Sequence, residues 1–365
     1  MATTRFSDAR EIRFDADELT GALGDSVTVL PIVVALGVLT PLSLPHALVA
    51  FGVFQIVWGI VYGLPISVEP MKALAGLAIA GAMSYGELVA GGLLAGVVLL
   101  IAGRFGVVGV VERAVGLPVV RGIQLAVGLL LVVTGAELAV GAPGVAVAAA
   151  IVVVALYALG YGRASALVVL AGGFAVAVGA VGVPTPSPPT LTPFAGGGPS
   201  FSVGAVEGAA AQLAMTVGNA AVATALLCED LFDREVSADR LAGSMGAMTL
   251  LSVPAGGLPM CHGSGGLAGK HSFGARTGGA NVLLGIGYLL LALVAGVVVA
   301  FPLAALGVLL VLVGADLSRT ALSGDDRLVT VGVGLLGALT NVGVAFVAGA
   351  AAWATLRKLD VRSGR

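Results

Sequence analysis

Apolar runs of about 20 residues, the length a helix needs to cross a bilayer, recur along this chain and are cut by short polar or Gly- and Pro-rich breaks. Allowing shorter spans for interrupted helices, the pattern predicts fourteen segments. Seven lie near 18–39, 44–62, 69–82, 87–103, 118–137, 144–160 and 164–182; seven more lie near 204–228, 238–253, 261–271, 279–299, 302–317, 327–339 and 341–357. The connection between the two sets holds Pro184, Pro186, Pro188, Pro189, Pro193 and Pro199 and reads as a structureless loop. The predicted organisation is a tail at 1–17, a first seven-segment repeat at 18–182, a Pro-rich extracellular connection at 183–203, a second repeat at 204–357 and a tail at 358–365.

Two stretches depart from the apolar pattern. Gly63 to Gly76 reads G-L-P-I-S-V-E-P-M-K-A-L-A-G, and Leu258 to Gly279 reads L-P-M-C-H-G-S-G-G-L-A-G-K-H-S-F-G-A-R-T-G-G. Gly and Pro at this density break a helix or let another group approach its backbone. Each stretch is predicted to run extended and then enter a half-helix, the first with Pro70 in its opening turn, the second starting near Cys261 or His262. These are segments three and ten, the same position in each set of seven. Because seven is odd, the second set enters the membrane from the opposite side, which makes an inverted repeat with a binding site at the broken helices. Facing half-helix N-termini carry unpaired N–H groups and a partial positive charge, so the gap between them should attract a small anion. The backbone near Met71, Lys72 and Ala73 and near His262, Gly263 and Ser264 would supply the donors, and Lys72 a full charge.

Composition agrees with the class: 58% of residues are hydrophobic, 10% are charged, and the mean hydropathy is +1.08. A soluble domain carries about 25% charged residues, so the chain is expected to be an all-α membrane protein. The net charge of −2 matters less than where the basic residues fall. With both termini cytoplasmic, Arg104, Arg113 and Arg121, Arg163, Arg234 and Arg240, Lys270 and Arg276, and Arg319 and Arg327 all gather in cytoplasmic returns. Arg5, Arg10 and Arg13 open the chain, and Arg357, Lys358, Arg362 and Arg365 close it; only Lys72 stands apart. The start has no cleavable signal pattern. Cys228 and Cys261 make neither a disulfide framework nor a metal cluster. No cofactor, metal or nucleic-acid partner is expected. The partners are the solute and membrane lipid, with a homodimer left open.

The broken stretches also carry a resemblance. P-I-S-V-E-P-M-K at Pro65 to Lys72, P-M-C-H-G-S-G-G-L-A-G at Pro259 to Gly269 and F-G-A-R-T-G-G at Phe273 to Gly279 resemble the paired signatures of the molybdate transporter family, a branch of the sulfate-permease-like superfamily. Further matches are E-L-T-G-A-L-G-D at Glu18 to Asp25, V-V-R-G-I-Q-L at Val119 to Leu125, and Asn219 with Asp230 to Phe232. The resemblance implies two seven-segment inverted repeats, a core domain moving against a gate domain, and an oxyanion substrate. The end at Arg365, without an appended regulatory domain, favours the molybdate branch. The chain departs from the family pattern at Glu69, where Gln is usual, and at Leu213, where a Pro often follows the Gln. An ionised Glu69 would repel a dianion, so it either carries a proton when substrate is bound, coupling uptake to protons, or accepts hydrogen bonds from its own half-helix start or pairs with Lys72.

Asp25, within segment one, belongs either to the site, to a polar network or to a wet cytoplasmic end. Gln212, Thr216 and Asn219 share one face of segment eight and either line the site or hydrogen-bond between helices. Pairs such as Gly92 with Gly96 read as packing faces. His262 reads as a neutral donor, because no partner at ligand spacing accompanies it beyond Cys261. His262-Gly263-Ser264-Gly265 lacks the arrangement of a serine nucleophile and its activating base, so no enzyme is expected. The expected function is secondary active import of a tetrahedral oxyanion, molybdate or tungstate, by alternating access, with a permease for sulfate or another small solute as the alternative.

Overall fold

The computed structural model describes residues 12–190, 192–324 and 326–363; the predicted tail residues Arg5 and Arg10 and the terminal Arg365 lie outside them. Sixteen α-helices are formed among the described residues. They are α1 (Ala16–Leu39), α2 (Leu44–Tyr62), α3 (Lys72–Ile79), α4 (Tyr85–Phe105), α5 (Val108–Val115), α6 (Leu117–Val140), α7 (Pro143–Ala158) and α8 (Ser165–Val181), then α9 (Val203–Met215), α10 (Ala223–Phe232), α11 (Ala238–Ser252), α12 (Ser264–Ser272), α13 (Gly279–Leu293), α14 (Leu303–Leu322), α15 (Arg327–Leu339) and α16 (Val342–Ser363). A π-helical stretch, Thr216–Val222, joins α9 to α10 without a break. Two short strands, β1 (Glu69–Pro70) and β2 (Met260–Cys261), precede α3 and α12. Every segment read from the apolar pattern contains a helix; α5 is an addition, in the connection between the fourth and fifth. Seven helical stretches, 16–39, 44–62, 85–105, 117–140, 162–181, 203–232 and 303–322, are long and apolar enough to cross a membrane. The chain is a multi-pass helical membrane protein.

The helices sort into two bundles by what they touch. In the first, α2 lies along α13, α4 along α11, and α1 along α12 and α13, with α3 and α9 packed beside α4. In the second, α6 lies between α14 and α15, with α7 and α8 against α14 and α16 against α15. With no hydrophobic drive between helices in lipid, close backbone approach through small residues holds such pairs. A Cβ on Gly128 of α6 would stand 2.8 Å from Gly314 O of α14, and one on Gly314 2.5 Å from Gly128 O. Gly52 and Gly285 make the same reciprocal contact between α2 and α13. On α4, Gly92 faces Pro259 and Gly96 faces Thr249 and Leu250.

The Pro-rich connection is not structureless along its course. Among its described residues no helix lies between Val181 and Val203, yet Ser187 N–H donates to Leu293 O (2.9 Å), Phe194 N–H to Pro254 O (2.9 Å) and Ser200 N–H to Gly86 O (2.8 Å). His46 Nε2 lies 2.7 Å from Thr190 O. A segment poor in N–H donors is thus tied down at the few it has.

Gly314→Ala should lower the melting temperature of the detergent-solubilised protein, with an overpacking cost of about 1–3 kcal/mol. Gly172→Ala on α8, where an added Cβ meets nothing within 4 Å, should leave it unchanged or slightly higher. Equal melting of the two variants would remove the α6–α14 approach as a source of stability.

Candidate functional site

Helix α2 ends at Gly63, whose φ of +62° suits glycine, and the chain then runs extended to β1. Pro70 lies in β1 and Gly263 is the N-cap of α12. The strands pair antiparallel, Glu69 opposite Cys261 and Pro70 opposite Met260. Antiparallel strands leave their ladder in opposite directions, so α3 and α12 depart on opposite sides and their N-termini flank it. At 8 and 9 residues and about 1.5 Å rise per residue, neither helix is long enough to cross a bilayer core.

Extended backbone inside a membrane protein must find its hydrogen bonds in other parts of the chain. Asn281 Nδ2 donates to Ile66 O (2.5 Å) and Gln55 Nε2 to Val68 O (3.1 Å). His262 Nδ1 lies 2.9 Å from Ser67 O, and a carbonyl only accepts, so this nitrogen carries the proton. His262 Nε2 then faces Ser244 Oγ at 2.8 Å, with Trp58 and Tyr62 edge-on to the ring. On the other strand, Thr249 Oγ1 accepts from Met260 N–H (3.1 Å) and donates to Met260 O (2.9 Å).

A cavity of about 100 Å³ lies at the two helix tips, well below the roughly 300–1,000 Å³ of a drug-sized pocket and suited to a small ion. Of the residues predicted to bind substrate, Glu69, Lys72, Gln212, Thr216, Asn219, His262, Gly263 and Ser264 line it. Met71, Ala73 and Asp25 do not. Met71 N–H is taken by Pro259 O (2.9 Å). Gln212 Oε1 accepts from Ala73 N–H (2.9 Å) and Leu74 N–H (3.4 Å), while its amide nitrogen donates to Thr216 Oγ1 (2.8 Å). The tip of α3 is therefore largely covered by the chain itself, where the sequence suggests bare amides.

Asp25 lies in a second polar cluster directly behind the cavity. Its carboxylate pairs with Lys270 Nζ at 3.1 Å and accepts from Ser67 Oγ (2.5 Å) and Gln55 Nε2 (3.1 Å). Lys270 Nζ also donates to Asn281 Oδ1 (2.7 Å) and Gln55 Oε1 (3.2 Å). Both charged side chains are 0% exposed. Lys270 thus sits inside the protein as the counter-charge of Asp25, not in a cytoplasmic return as its grouping with Arg276 suggests. Glu18, about two turns before Asp25, accepts from Thr277 N–H (2.8 Å), Arg276 N–H (3.0 Å) and Ala280 N–H (3.1 Å). The run Glu18 to Asp25 is in this way the complement of the turn and helix made by the run from Gly269 to Gly279.

Sequence reading did not select Gln124 of α6 or Asp316 and Thr320 of α14, which complete the cavity from the second bundle. Gln124 Oε1 accepts from Asn219 Nδ2 (3.3 Å), and Asn219 Oδ1 accepts from Ser264 Oγ (3.1 Å). Gln55 and Gln124 are isolated polar residues within apolar helices, a signal of an interior role. Among the described residues no cluster of His, Cys, Asp and Glu could hold a metal ion.

The family model described as "Molybdate transporter of MFS superfamily" matches residues 17–131 and 204–317, more than half of the chain. The chain belongs to this molybdate transporter family. Among curated relatives it is 29% identical to molybdate transporter 2 of Arabidopsis thaliana, over 84% of this chain and 79% of that one, and 30% identical to molybdate transporter 1 of the same plant, over 83% and 79%. Among solved structures it shares the fold of the transmembrane domain of the cyanobacterial bicarbonate transporter BicA (TM-score 0.66, 18% identity, 93% of this chain and 98% of that one). The anion transporter murine Solute Carrier 26 family member A9 has the same fold (TM-score 0.72, 14% identity, 96% and 69%).

Removing one member of the Asp25–Lys270 pair strands a buried charge, at a cost of about 3–5 kcal/mol. Asp25→Ala should therefore melt well below the parent protein, and adding Lys270→Met should recover part of the loss. A double variant as unstable as the sum of both singles would argue against the pairing.

Proposed function

We propose that this protein is a secondary active transporter, not an enzyme, that imports a tetrahedral oxyanion, molybdate or tungstate, by alternating access. The observation that carries the reading is the small cavity at the tips of α3 and α12, with the Lys72 ammonium at its wall, in a chain of the molybdate transporter family. The oxyanion would rest against Lys72, the hydroxyls of Thr216 and Ser264 and the amide N–H groups that open α3 and α12, with Asn219 and Gln212 fixing the surrounding polar wall. Glu69, the carboxyl nearest Lys72, is the group that would carry a proton inward with the anion.

The architecture we infer is two inverted seven-segment repeats, 18–182 and 204–357, joined by an extracellular connection at 183–203, with α3 and α12 as half-helices and both termini in the cytoplasm of a cell-membrane protein. Packing supports it: α2 with α13 and α4 with α11 exchange places when the second segment of one repeat is mapped on the second of the other. The helix that is fifth in its repeat, α6, pairs with its own counterpart, α14. The two blocks matched by the family model are also of near-equal length and begin at the first helix of each repeat. On this reading the first bundle is the core domain and the second the gate. The alternative is a permease for sulfate or another small solute, and its anionic form draws support from the fold shared with a bicarbonate transporter.

Isothermal titration with molybdate, tungstate and sulfate tests the substrate, and Lys72→Ala tests the site. The variant should bind its oxyanion at least about tenfold more weakly, the size of a lost charge-assisted contact of about 1.4 kcal/mol or more. Unchanged affinity would remove Lys72 from the site. Glu69→Gln should retain binding while uptake into proteoliposomes loses its pH dependence; an unchanged pH profile would rule Glu69 out as the proton carrier.

A further inference from the structure

We infer that the Glu69 carboxylate is a resident anion, occupying the donors a substrate oxyanion needs, so that substrate binds by displacing it. The inference rests on the oxyanion-site reading above and adds a competitor within the chain itself. The two oxygens of Glu69 are divided between two kinds of anion donor. Oε2 lies 2.5 Å from Lys72 Nζ, and Oε1 accepts from Gly266 N–H, in the first turn of α12, at 3.0 Å. A carboxylate and one edge of a tetrahedral oxyanion offer the same thing to these donors, two acceptor oxygens on one central atom.

The space for the carboxylate is built. A Cβ on Gly263 or on Gly266 would fall on the carboxylate of Glu69, so any other residue at either position would expel it. At 1% exposure, the group is held there without help from solvent. A carboxylate that only capped its own helix would sit over α3, yet Gln212 covers that tip and Glu69 crosses the ladder to α12.

The charges around Glu69 explain why displacement is required. It faces Lys72 from α3, Cys261 and His262 from the β2 segment, and Asp25 and Lys270 across Gly266. These two lysines and two carboxylates balance when ionised. A dianion arriving beside an ionised Glu69 meets a like charge at contact distance and is repelled by it, about twice as strongly as a monoanion would be. Once the carboxylate turns away or takes a proton, Lys72 and the Gly266 amide are released together. Selectivity follows: an anion enters only if it outcompetes a carboxylate, which favours dianions over weakly held monoanions.

The test is titration calorimetry and thermal shift on the full chain and its Glu69→Gln and Glu69→Ala variants, with molybdate, sulfate, bicarbonate and formate as probes. Displacement predicts that Glu69→Gln, free of that repulsion, binds the dianion about tenfold or more tightly than the parent. It also predicts that formate competes with molybdate in Glu69→Ala. Should a neutral variant fail to fold, Glu69→Asp, whose reach is one methylene shorter and cannot span both donors, should show an intermediate gain. Equal or weaker binding in every variant, without formate competition, would overturn the inference while parent binding of molybdate left the substrate reading intact. Conversely, formate or sulfate stabilising Glu69→Ala where molybdate binds no form would keep the resident anion and remove molybdate as substrate.

Discussion

A stretch of extended backbone in the interior of a membrane protein is the constraint on which this structure depends. Residues 64–71 and 257–263 leave the helical state where no water can pair their amides, and each unpaired group would cost several kcal/mol. Two-residue strands pair only a few of them. The remainder draw on side chains from four helices: Gln55 of α2, Thr249 of α11 and Asn281 of α13 bind carbonyls of the broken segments, and Gln212 of α9 binds amides at the start of α3. His262, within the second segment, donates to Ser67 O of the first. The polar residues scattered through otherwise apolar helices thus have one purpose in common, and the two helix tips are held wherever those side chains hold the ladder.

The two tips are not equivalent. A neutral amide, Gln212, covers the start of α3, whereas a carboxylate, Glu69, reaches the start of α12. The positive end of α3 is matched by the full charge of Lys72, whose partner is the same Glu69. Behind them the Asp25–Lys270 pair occupies a fully buried position that only works with its hydrogen bonds complete, which Ser67, Gln55 and Asn281 provide. Gly266 lies where the two clusters meet, its missing side chain leaving room for Asp25, Ser67 and Glu69 at once. A change in the charge of Glu69 is therefore felt by the pair behind it across a single residue.

Much of this was legible in the sequence because membrane burial punishes exceptions. Pro65, Pro70 and the glycines at 263, 265 and 266 could not belong to continuous lipid-facing helices, and they mark the two strands and the short helices that follow. Gln212, Thr216 and Asn219 keep their shared face through the π-helical stretch. The partners were not legible. Whether Glu69 pairs within its own turn or across to α12 depends on the strand register, which two residues of sequence do not encode. Lys270 looks like any basic residue near a helix end until Asp25 of α1, 245 positions earlier, is placed against it. Asp316 and Thr320 sit one turn apart near the end of an ordinary apolar helix, and only the packing of α14 on α6 and α1 brings them to the cavity.

The cavities mark the seam between the two bundles. Besides the one at the helix tips, two larger ones, of about 330 and 260 Å³, are lined by residues of both bundles. The first shares Gly265 and Asp316 with the site and reaches Arg163, a residue of the basic returns that the charge pattern assigns to the cytoplasm. The second, near Glu207 and Asn341, lies toward the other end of α3 and shares no lining residue with the site. Between it and the site, Gly76 of α3 packs on Val127 and Leu131 of α6. The apolar contact that separates site from cavity on one side, and the open junction on the other, both lie on the seam between bundles. The ladder, Gln212 and the Asp25–Lys270 pair all lie within a single bundle.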